Sequence, residues 1–247
     1  MTLIYHGRTD QLCPCCGGPK SAADCSECNG TGYEHVHADV LGYGHDLIQG
    51  LDYLAAEIHN ENRVAGWWTD LATGADLLDT RNRGEMLMLG VTELDEAEDA
   101  RRDGLNDDKL PDRPGYHVEL GDCAIRLLDQ LGAEQRASSD EYALIIAHNE
   151  HRSASVARSY REITNAGPGG NLMWIVGALA KSLDEGYRKD KVRVARYWLT
   201  VALFRIIALA AHEGIPLFEI IEEKRAYNRN RADHKVENRR ADGGKKC

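Results

Sequence analysis

Long segments in which apolar residues return every three or four positions dominate this sequence, and that spacing places them on one face of an α-helix. Runs that alternate apolar and polar residues, as half-buried strands do, are absent. Glycine, proline and aspartate separate the segments, as at Gly104, Pro111 and Pro114. The pattern therefore predicts an all-α body. Its helices are expected near 46–63, 84–103, 115–132, 141–163, 171–187, 190–213 and 215–230.

Composition narrows the functional classes. The chain has 247 residues, 43% of them hydrophobic, enough for one sizeable core and a small appendage. It lacks a run of eighteen apolar residues, and Met1–His6 lacks the basic start of a secretory signal, so we expect a cytoplasmic protein with no membrane segment. The net charge of -10 argues against a general affinity for nucleic acid. Positive charge is instead concentrated between Lys224 and Lys246, where nine Lys or Arg stand against three acids.

Five of the seven cysteines lie between Cys13 and Cys28, and this clustering is typical of metal binding and not of disulfides. Two CxxC knuckles are separated by eight residues, so four thiolates can surround one zinc ion. The ligands are Cys13, Cys16, Cys25 and Cys28. Four protein ligands leave no open position for substrate, so this zinc is expected to be structural.

The second knuckle, Cys25 to Gly32, resembles the CxxCxGxG unit of the DnaJ-type zinc ribbon. Cys15 is an additional thiol that can compete as a ligand. We therefore predict a small zinc ribbon over residues 1–40 and the helical domain over 41–247. The ribbon either staples a segment too small for a core of its own or binds a partner.

Two predicted helices each carry a pair of acids three residues apart. At 100° per residue, Glu93 falls inside the apolar stripe of its helix with Glu96 at the margin, whereas Glu119 and Asp122 fall on the polar side of theirs, near Arg126. Packed as an antiparallel pair, the two helices would direct four carboxylates at a hard cation, Mg²⁺ or Mn²⁺. In a chain with 40 acidic residues, such spacings also arise on solvated helix faces.

Thr92-Glu93-x-x-Glu96, followed by Glu119-x-x-Asp122, resembles the EExxE...ExxD signature of the MazG-like all-α NTP pyrophosphohydrolases, relatives of the dimeric dUTPases. Thr92 stands where the family usually has a glutamate. The resemblance implies a helical bundle of that type. It also implies Mg²⁺-dependent hydrolysis of nucleoside triphosphates to monophosphate and diphosphate, with these four acids as catalytic metal ligands.

The C-terminal segment continues the resemblance, because Lys224, Asn228 and Arg231 match the family's K-x-x-x-N-x-x-R helix end and Lys245 its glycine-lysine tail. In relatives these positions help hold the nucleotide. The resemblance therefore assigns nucleotide binding to the basic tail, residues 214–247.

The two halves of the body show a faint similarity, which predicts a degenerate tandem repeat of 46–134 and 135–213. Leu87-Met88 pairs with Leu172-Met173 at an offset of 85, and Ile125-Arg126 pairs with Phe204-Arg205 at an offset of 79. Under these offsets the four acids correspond to Ala178, Lys181, Trp198 and Val201. The second copy has therefore lost its metal ligands. Because family members commonly build sites from two protomers, we expect either a homodimer or an internal pseudo-dimer in which the second half and the tail contact the nucleotide.

The hypothesis leaves the role of one tryptophan pair open and has two rivals. Trp67 and Trp68 either stack on the base or belong to the core. The chain could instead be a binding module, in which the zinc ribbon and basic tail recruit nucleic acid or protein to a helical scaffold. The dipeptide His45-Asp46 also marks a family of helical metal phosphohydrolases. Its partner histidines would have to come from scattered positions such as His35, His37 and His59, and the apolar run usual before that dipeptide is missing.

Overall fold

The computed structural model describes residues 47–137 and 167–240, and within these ranges it is helical and contains no strand. The chain divides into two compact units, Met1–Gly50 and Leu51–Cys247, and almost all described residues belong to the second. The predicted zinc ribbon, with its four cysteine ligands, lies outside the described residues, as does the predicted helix at 141–163.

The described residues confirm the all-α prediction. Their helices are α1 (Leu47–Val64), α2 (Arg83–Asp103), α3 (Gly115–Ala137), α4 (Gly167–Lys181), α5 (Val192–Glu213), α6 (Leu217–Asn230) and α7 (Val236–Arg240). The helix expected over 171–187 starts earlier, and its α-helical part ends at Lys181. A π-helical turn, Ser182–Gly186, and a 3₁₀ turn then lead into α5.

Helices α2 and α3 pack as an antiparallel pair, the arrangement that the predicted cluster of carboxylates requires. The side chain of Asn82 caps α2 by accepting hydrogen bonds from the amides of Gly84 and Glu85, at 2.9 and 3.2 Å. Gly104 ends the helix in the left-handed conformation, with φ 66°. The close contacts Gly90–Cys123 and Ala100–Gly115 then run in opposite directions along the two helices.

Helix α3 is the centre of the described structure. It packs against α2, α5 and α6, so its side chains are buried on nearly every face. The sequence placed Glu119 and Asp122 on the polar side of this helix, but the structure covers that side with neighbouring helices. Glu119 is buried and Asp122 nearly so. The helical periodicity of one segment cannot reveal this, because it does not show that neighbouring helices will cover both faces.

Helix α5 supplies much of the remaining core, with Leu203, Phe204 and Ile206 at most 1% exposed. It is long and apolar enough to cross a membrane by those criteria alone, but 61% of its most apolar window is buried inside the protein. Ahead of it, Gly186 lets the chain approach Ala195 so closely that a Cβ at Gly186 would lie 2.6 Å from that residue. The connection from α4 to α5 therefore depends on that glycine.

We expect Gly132→Ala to destabilise the fold by about 1–3 kcal/mol, because overpacking a tight helix contact forces the neighbours apart. A Cβ at Gly132 would lie 2.3 Å from the carbonyl oxygen of Ala55 and 2.6 Å from His59 Cβ, so α1 must move. The matched control is Gly177→Ala in α4, where an added Cβ would have no atom of another described element within 4 Å. There alanine should be neutral or stabilise by up to about 1 kcal/mol. Urea denaturation followed by circular dichroism measures both, and equal effects would contradict the close approach of α1 and α3.

Candidate metal and nucleotide site

Three glutamate side chains converge between α2 and α3. Single carboxylate oxygens of Glu93, Glu96 and Glu119 all lie within 4.8 Å of one another, and we call these residues the carboxylate cluster. Glu93 and Glu119 are each only 8% exposed, whereas Glu96 reaches the surface. The buried position of Glu93 and the marginal position of Glu96 are as the apolar stripe of α2 predicted.

The negative charge of the cluster is only partly offset by the protein. Arg126 Nε donates to Glu93 Oε1 at 2.9 Å. Glu119 Oε2 is buried and makes no hydrogen bond to any described residue. Burial, with the charge of Asp122 added, raises the pKa of the Glu119 carboxyl to about 8, and burial followed by the charge of Glu93 raises the pKa of Glu96. Buried carboxylate oxygens without donors suit a divalent cation that takes oxygen ligands, so the residues fit Mg²⁺ or Mn²⁺.

The fourth predicted ligand, Asp122, is instead paired within the protein. Its Oδ2 lies 2.7 Å from Lys224 Nζ on α6, and the Lys224 side chain is 2% exposed. Burial raises the pKa of Asp122 to about 6, while the positive charge of Lys224 opposes that shift. Asp122 therefore differs from the cluster glutamates in having a cation of its own.

A glycine explains how α6 reaches this point. Gly121 lies between Glu119 and Asp122 on α3, and a Cβ there would approach Ile220 Cγ2 to 2.9 Å. Ile220 is fully buried against it. One helical turn further along α6, Lys224 arrives beside Asp122. The sequence contained this signal, since a glycine inside a helix pattern often marks a close approach, but our sequence reasoning missed it.

Asp107 is a further member of the site that sequence reasoning missed. It lies in the loop between α2 and α3, where a bridge between Asn106 and Pro114 closes the turn. Asp107 Oδ1 accepts hydrogen bonds from the amides of Lys109 and Leu110, at 3.0 and 2.6 Å. Its Oδ2 lies 3.8 Å from Lys224 Nζ. In sequence Asp107 resembles any turn aspartate, so only the fold shows its connection to Lys224.

A cleft of about 120 Å³ opens beside these groups. Asp122, Arg126 and Lys224 form part of its wall, and Arg126 and Asp122 link it to the carboxylate cluster. Its remaining lining comes from the end of α1, the α1–α2 loop, α2, α3 and the C-terminal segment: Asn62, Trp67, Arg81, Met86, Leu89, Ile125, Asp129, Asn228, Arg231 and His234. Within the described part of the chain, α4 and α5 contribute no lining residue.

The structure thus brings most of the predicted site residues together. Asn228 and Arg231 line the same cleft as their helix neighbour Lys224 and as Asp122, which lies more than a hundred residues earlier in the sequence. Arg231 is held in place by Asp233, at 2.9 and 2.5 Å. Lys245 lies outside the described residues.

His59 and the tryptophan pair belong largely to the core. His59 Nδ1 lies 2.9 Å from Asp129 Oδ1, and Trp68 Nε1 donates to the same oxygen at 2.9 Å. Trp68 is 1% exposed, so it is a core residue and not a base-stacking platform. Trp67 lines the cleft, but the Cζ atom of Arg239 lies 3.6 Å from the centroid of its ring, so this face of the ring is already covered. His35, His37, His45 and Asp46, which the HD alternative requires, lie outside the described residues.

No protein-family profile, curated protein or solved structure matches this chain. Functional conclusions therefore rest on the geometry of the site and on the sequence resemblance.

The raised pKa of Glu119 predicts how the stability of the metal-free protein depends on pH. A carboxyl whose pKa is higher in the folded than in the unfolded state stabilises the fold fully at low pH. That contribution is lost as the pH rises from about 4.5 towards about 8, because the unfolded chain then releases the proton first. Between these limits, melting temperatures in metal-free buffer should fall more steeply for the wild type than for Glu119→Gln. Equal slopes would show that Glu119 is not desolvated.

Proposed function

We propose that this chain is a nucleoside triphosphate pyrophosphohydrolase that uses Mg²⁺ or Mn²⁺ held by Glu93, Glu96 and Glu119. The reaction adds water across the bond between the α- and β-phosphates and releases a nucleoside monophosphate and diphosphate. The finer fold assignment, a helical bundle of the MazG-like type, belongs to the same proposal and is supported by the acid signature and by the antiparallel α2–α3 pair that carries it.

The observation that carries the proposal is the uncompensated oxygen of Glu119. Three carboxylates within 4.8 Å repel one another, and burial of two of them makes the repulsion more costly. A structural role would be expected to pair each buried carboxylate with donors, as Arg126 does for Glu93. Because Glu119 Oε2 has no such donor in the described structure, the arrangement favours a cation.

The cleft beside the cluster supplies groups suited to a triphosphate. Arg126 and Arg231 can donate charge-assisted hydrogen bonds to phosphate oxygens, and the amide of Asn228 can bond phosphate or sugar. When bound, the divalent cation supplies positive charge against the phosphates and acidifies water. Arg126 also holds Glu93 in place, so it joins the cation-binding side of the site to the phosphate-binding side.

Glu119→Gln should lower kcat/KM for hydrolysis of a nucleoside triphosphate about a hundredfold or more, because it removes a ligand charge that the transition state needs. A panel of NTPs and dNTPs with Mg²⁺, scored for diphosphate and monophosphate, measures this. The matched control is Asp99→Asn, an exposed acid on α2 whose only described partner is Arg102, and it should keep wild-type activity. If no nucleotide is hydrolysed and RNA or DNA binds tightly instead, the binding-module alternative replaces this proposal.

The second helix pair supports the proposed internal repeat with one metal site. Helices α4 and α5 run antiparallel, since Lys181 contacts Trp198 and Trp174 contacts Arg205. Lys181 and Trp198 correspond to Glu96 and Glu119 under the sequence offsets. The equivalent positions are therefore neighbours in both pairs. In the second pair, Lys181 Nζ lies 4.3 Å from the Trp198 ring centroid, so a cation–π contact replaces two carboxylates.

The described cleft also narrows which parts of the proposed pseudo-dimer would contact the nucleotide. The notional second half, represented by α4 and α5, contributes nothing to the described cleft, whereas the tail supplies Lys224, Asn228 and Arg231. The first half and the tail of one chain are therefore sufficient to form the cleft.

A mixing experiment tests whether each site belongs to one chain. We expect co-expressed Glu119→Gln and Asn228→Ala chains to have no more activity than the two variants alone, because Glu119 and Asn228 serve the same intrachain site. Diphosphate release by the purified mixture is the measurement, with the Glu119→Gln/Asn228→Ala double variant mixed with wild type as the control for poisoning. Recovery of activity on mixing would show a site shared between chains.

A further inference from the structure

We infer that the ammonium group of Lys224 takes the place of a second divalent cation, so that the chain itself binds one such cation and not two. The inference rests on the proposed function in one respect, the binding of a divalent cation by the carboxylate cluster. It gives Lys224 a role different from the phosphate contact that the sequence resemblance implies.

The geometry around Lys224 is that of a cation between ligands. Its Nζ lies 2.7 Å from Asp122 Oδ2 and 3.8 Å from Asp107 Oδ2, in a position from which solvent is excluded. Asp107 is fixed by two backbone amides, so it cannot turn away. In sites with two metal ions, the ions commonly lie roughly 3.5–4 Å apart. Here one carboxylate of the predicted set, Asp122, is bound by a lysine.

Charge balance leads to the same conclusion. With every acid ionised, as metal binding requires of its ligands, five carboxylates and two cationic side chains leave three negative charges here. The acids are Glu93, Glu96, Asp107, Glu119 and Asp122, and the cations are Arg126 and Lys224. Lys109 also lies nearby, but its ammonium is paired with Asp108 at 2.6 Å, so that pair adds no net charge. One divalent cation leaves a single negative charge, whereas two would make the site positive. Without the ammonium group, four negative charges remain, which two divalent cations balance.

The burial of Lys224 distinguishes this role from phosphate binding. Lys224 is 2% exposed, and its ammonium already lies against Asp122. A phosphate oxygen would have to displace that carboxylate or enter between two negative groups. Arg126 and Arg231 face the cleft with larger exposed fractions, 40% and 20% of the side chain, and are better placed for phosphate.

The test counts Mn²⁺ ions bound per chain in the absence of nucleotide, by the loss of the free-ion signal in electron paramagnetic resonance. Mn²⁺ is a hard cation that prefers carboxylates, so the thiolates of the predicted ribbon do not compete for it. We expect one ion for the wild type and none at the cluster for Glu119→Gln. Lys224→Met should bind two ions, or bind the first about tenfold or more tightly, because a neighbouring positive charge has been removed.

Matched variants keep the test decisive. Lys224→Gln also removes the charge but keeps a polar group beside Asp122, so it serves if the methionine variant does not fold. Lys224→Arg keeps the charge and should keep one ion, and Lys191→Met, at an exposed lysine before α5, should match the wild type.

Two results would overturn the inference: two ions bound by the wild type, or unchanged stoichiometry and affinity in folded Lys224→Met and Lys224→Gln. Neither depends on turnover of nucleotides. A chain that binds one ion, gains a second in the Lys224 variants and hydrolyses no triphosphate would keep this inference and reject the proposed function.

Discussion

Negative charge held away from water at the contact between α2 and α3 is the constraint on which the site depends. Desolvation of a carboxylate is costly unless donors or cations replace the lost water. The protein meets this cost unevenly: Arg126 serves Glu93 and Lys224 serves Asp122, while Glu119 is left with a buried oxygen that bonds no described residue. The imbalance distinguishes this cluster from structural ion pairs elsewhere in the fold. Arg225, for example, is surrounded by Glu57, Glu61 and Glu222.

Glycines on α3 bring these charges together. Gly115, Gly121 and Gly132 each lie where an added Cβ would come within 3 Å of a neighbouring element, respectively α2, α6 and α1. Three different helices therefore approach α3 closely, each at a different position along its length. Close packing buries Glu93 and Glu119 and also sets the distance between Asp122 and Lys224. Packing and electrostatics in this protein are thus two consequences of the same backbone contacts.

Under the proposed repeat, the two helix pairs carry different chemistry at equivalent positions. Glu96 and Glu119 of the α2–α3 pair correspond to Lys181 and Trp198 of the α4–α5 pair, and in each pair the two side chains lie close together. The charge of a lysine over a tryptophan ring is stabilised by the ring without a bound ligand, whereas clustered glutamates repel one another unless a cation binds. The proposed repeat would thus retain the antiparallel helix pair in both halves and the cation-binding carboxylates only in the first half.

The sequence was sufficient to predict most of the described helices, because local periodicity and capping signals depend on neighbours along the chain; α7 was not predicted. The bounds of α1, α2 and α6 agree with prediction to within about two residues, the usual uncertainty of helix ends. It also identified the acids and the buried setting of Glu93, since one apolar stripe is visible in one segment. The sequence did not predict that the polar side of α3 is buried, because a helix covered on nearly all sides has no exposed face that its residue pattern could reveal.

What the sequence by itself determined was therefore the all-α class and the acidic residues that could hold a cation. Tertiary structure alone decided which of them remain without a counter-ion. Lys224 reaches Asp122 from about a hundred residues away, Asp107 becomes significant only through that lysine, and Asn228 and Arg231 join the same cleft. The physical reason is that a counter-ion is defined by distance and burial, and neither quantity is encoded in the local spacing of residues.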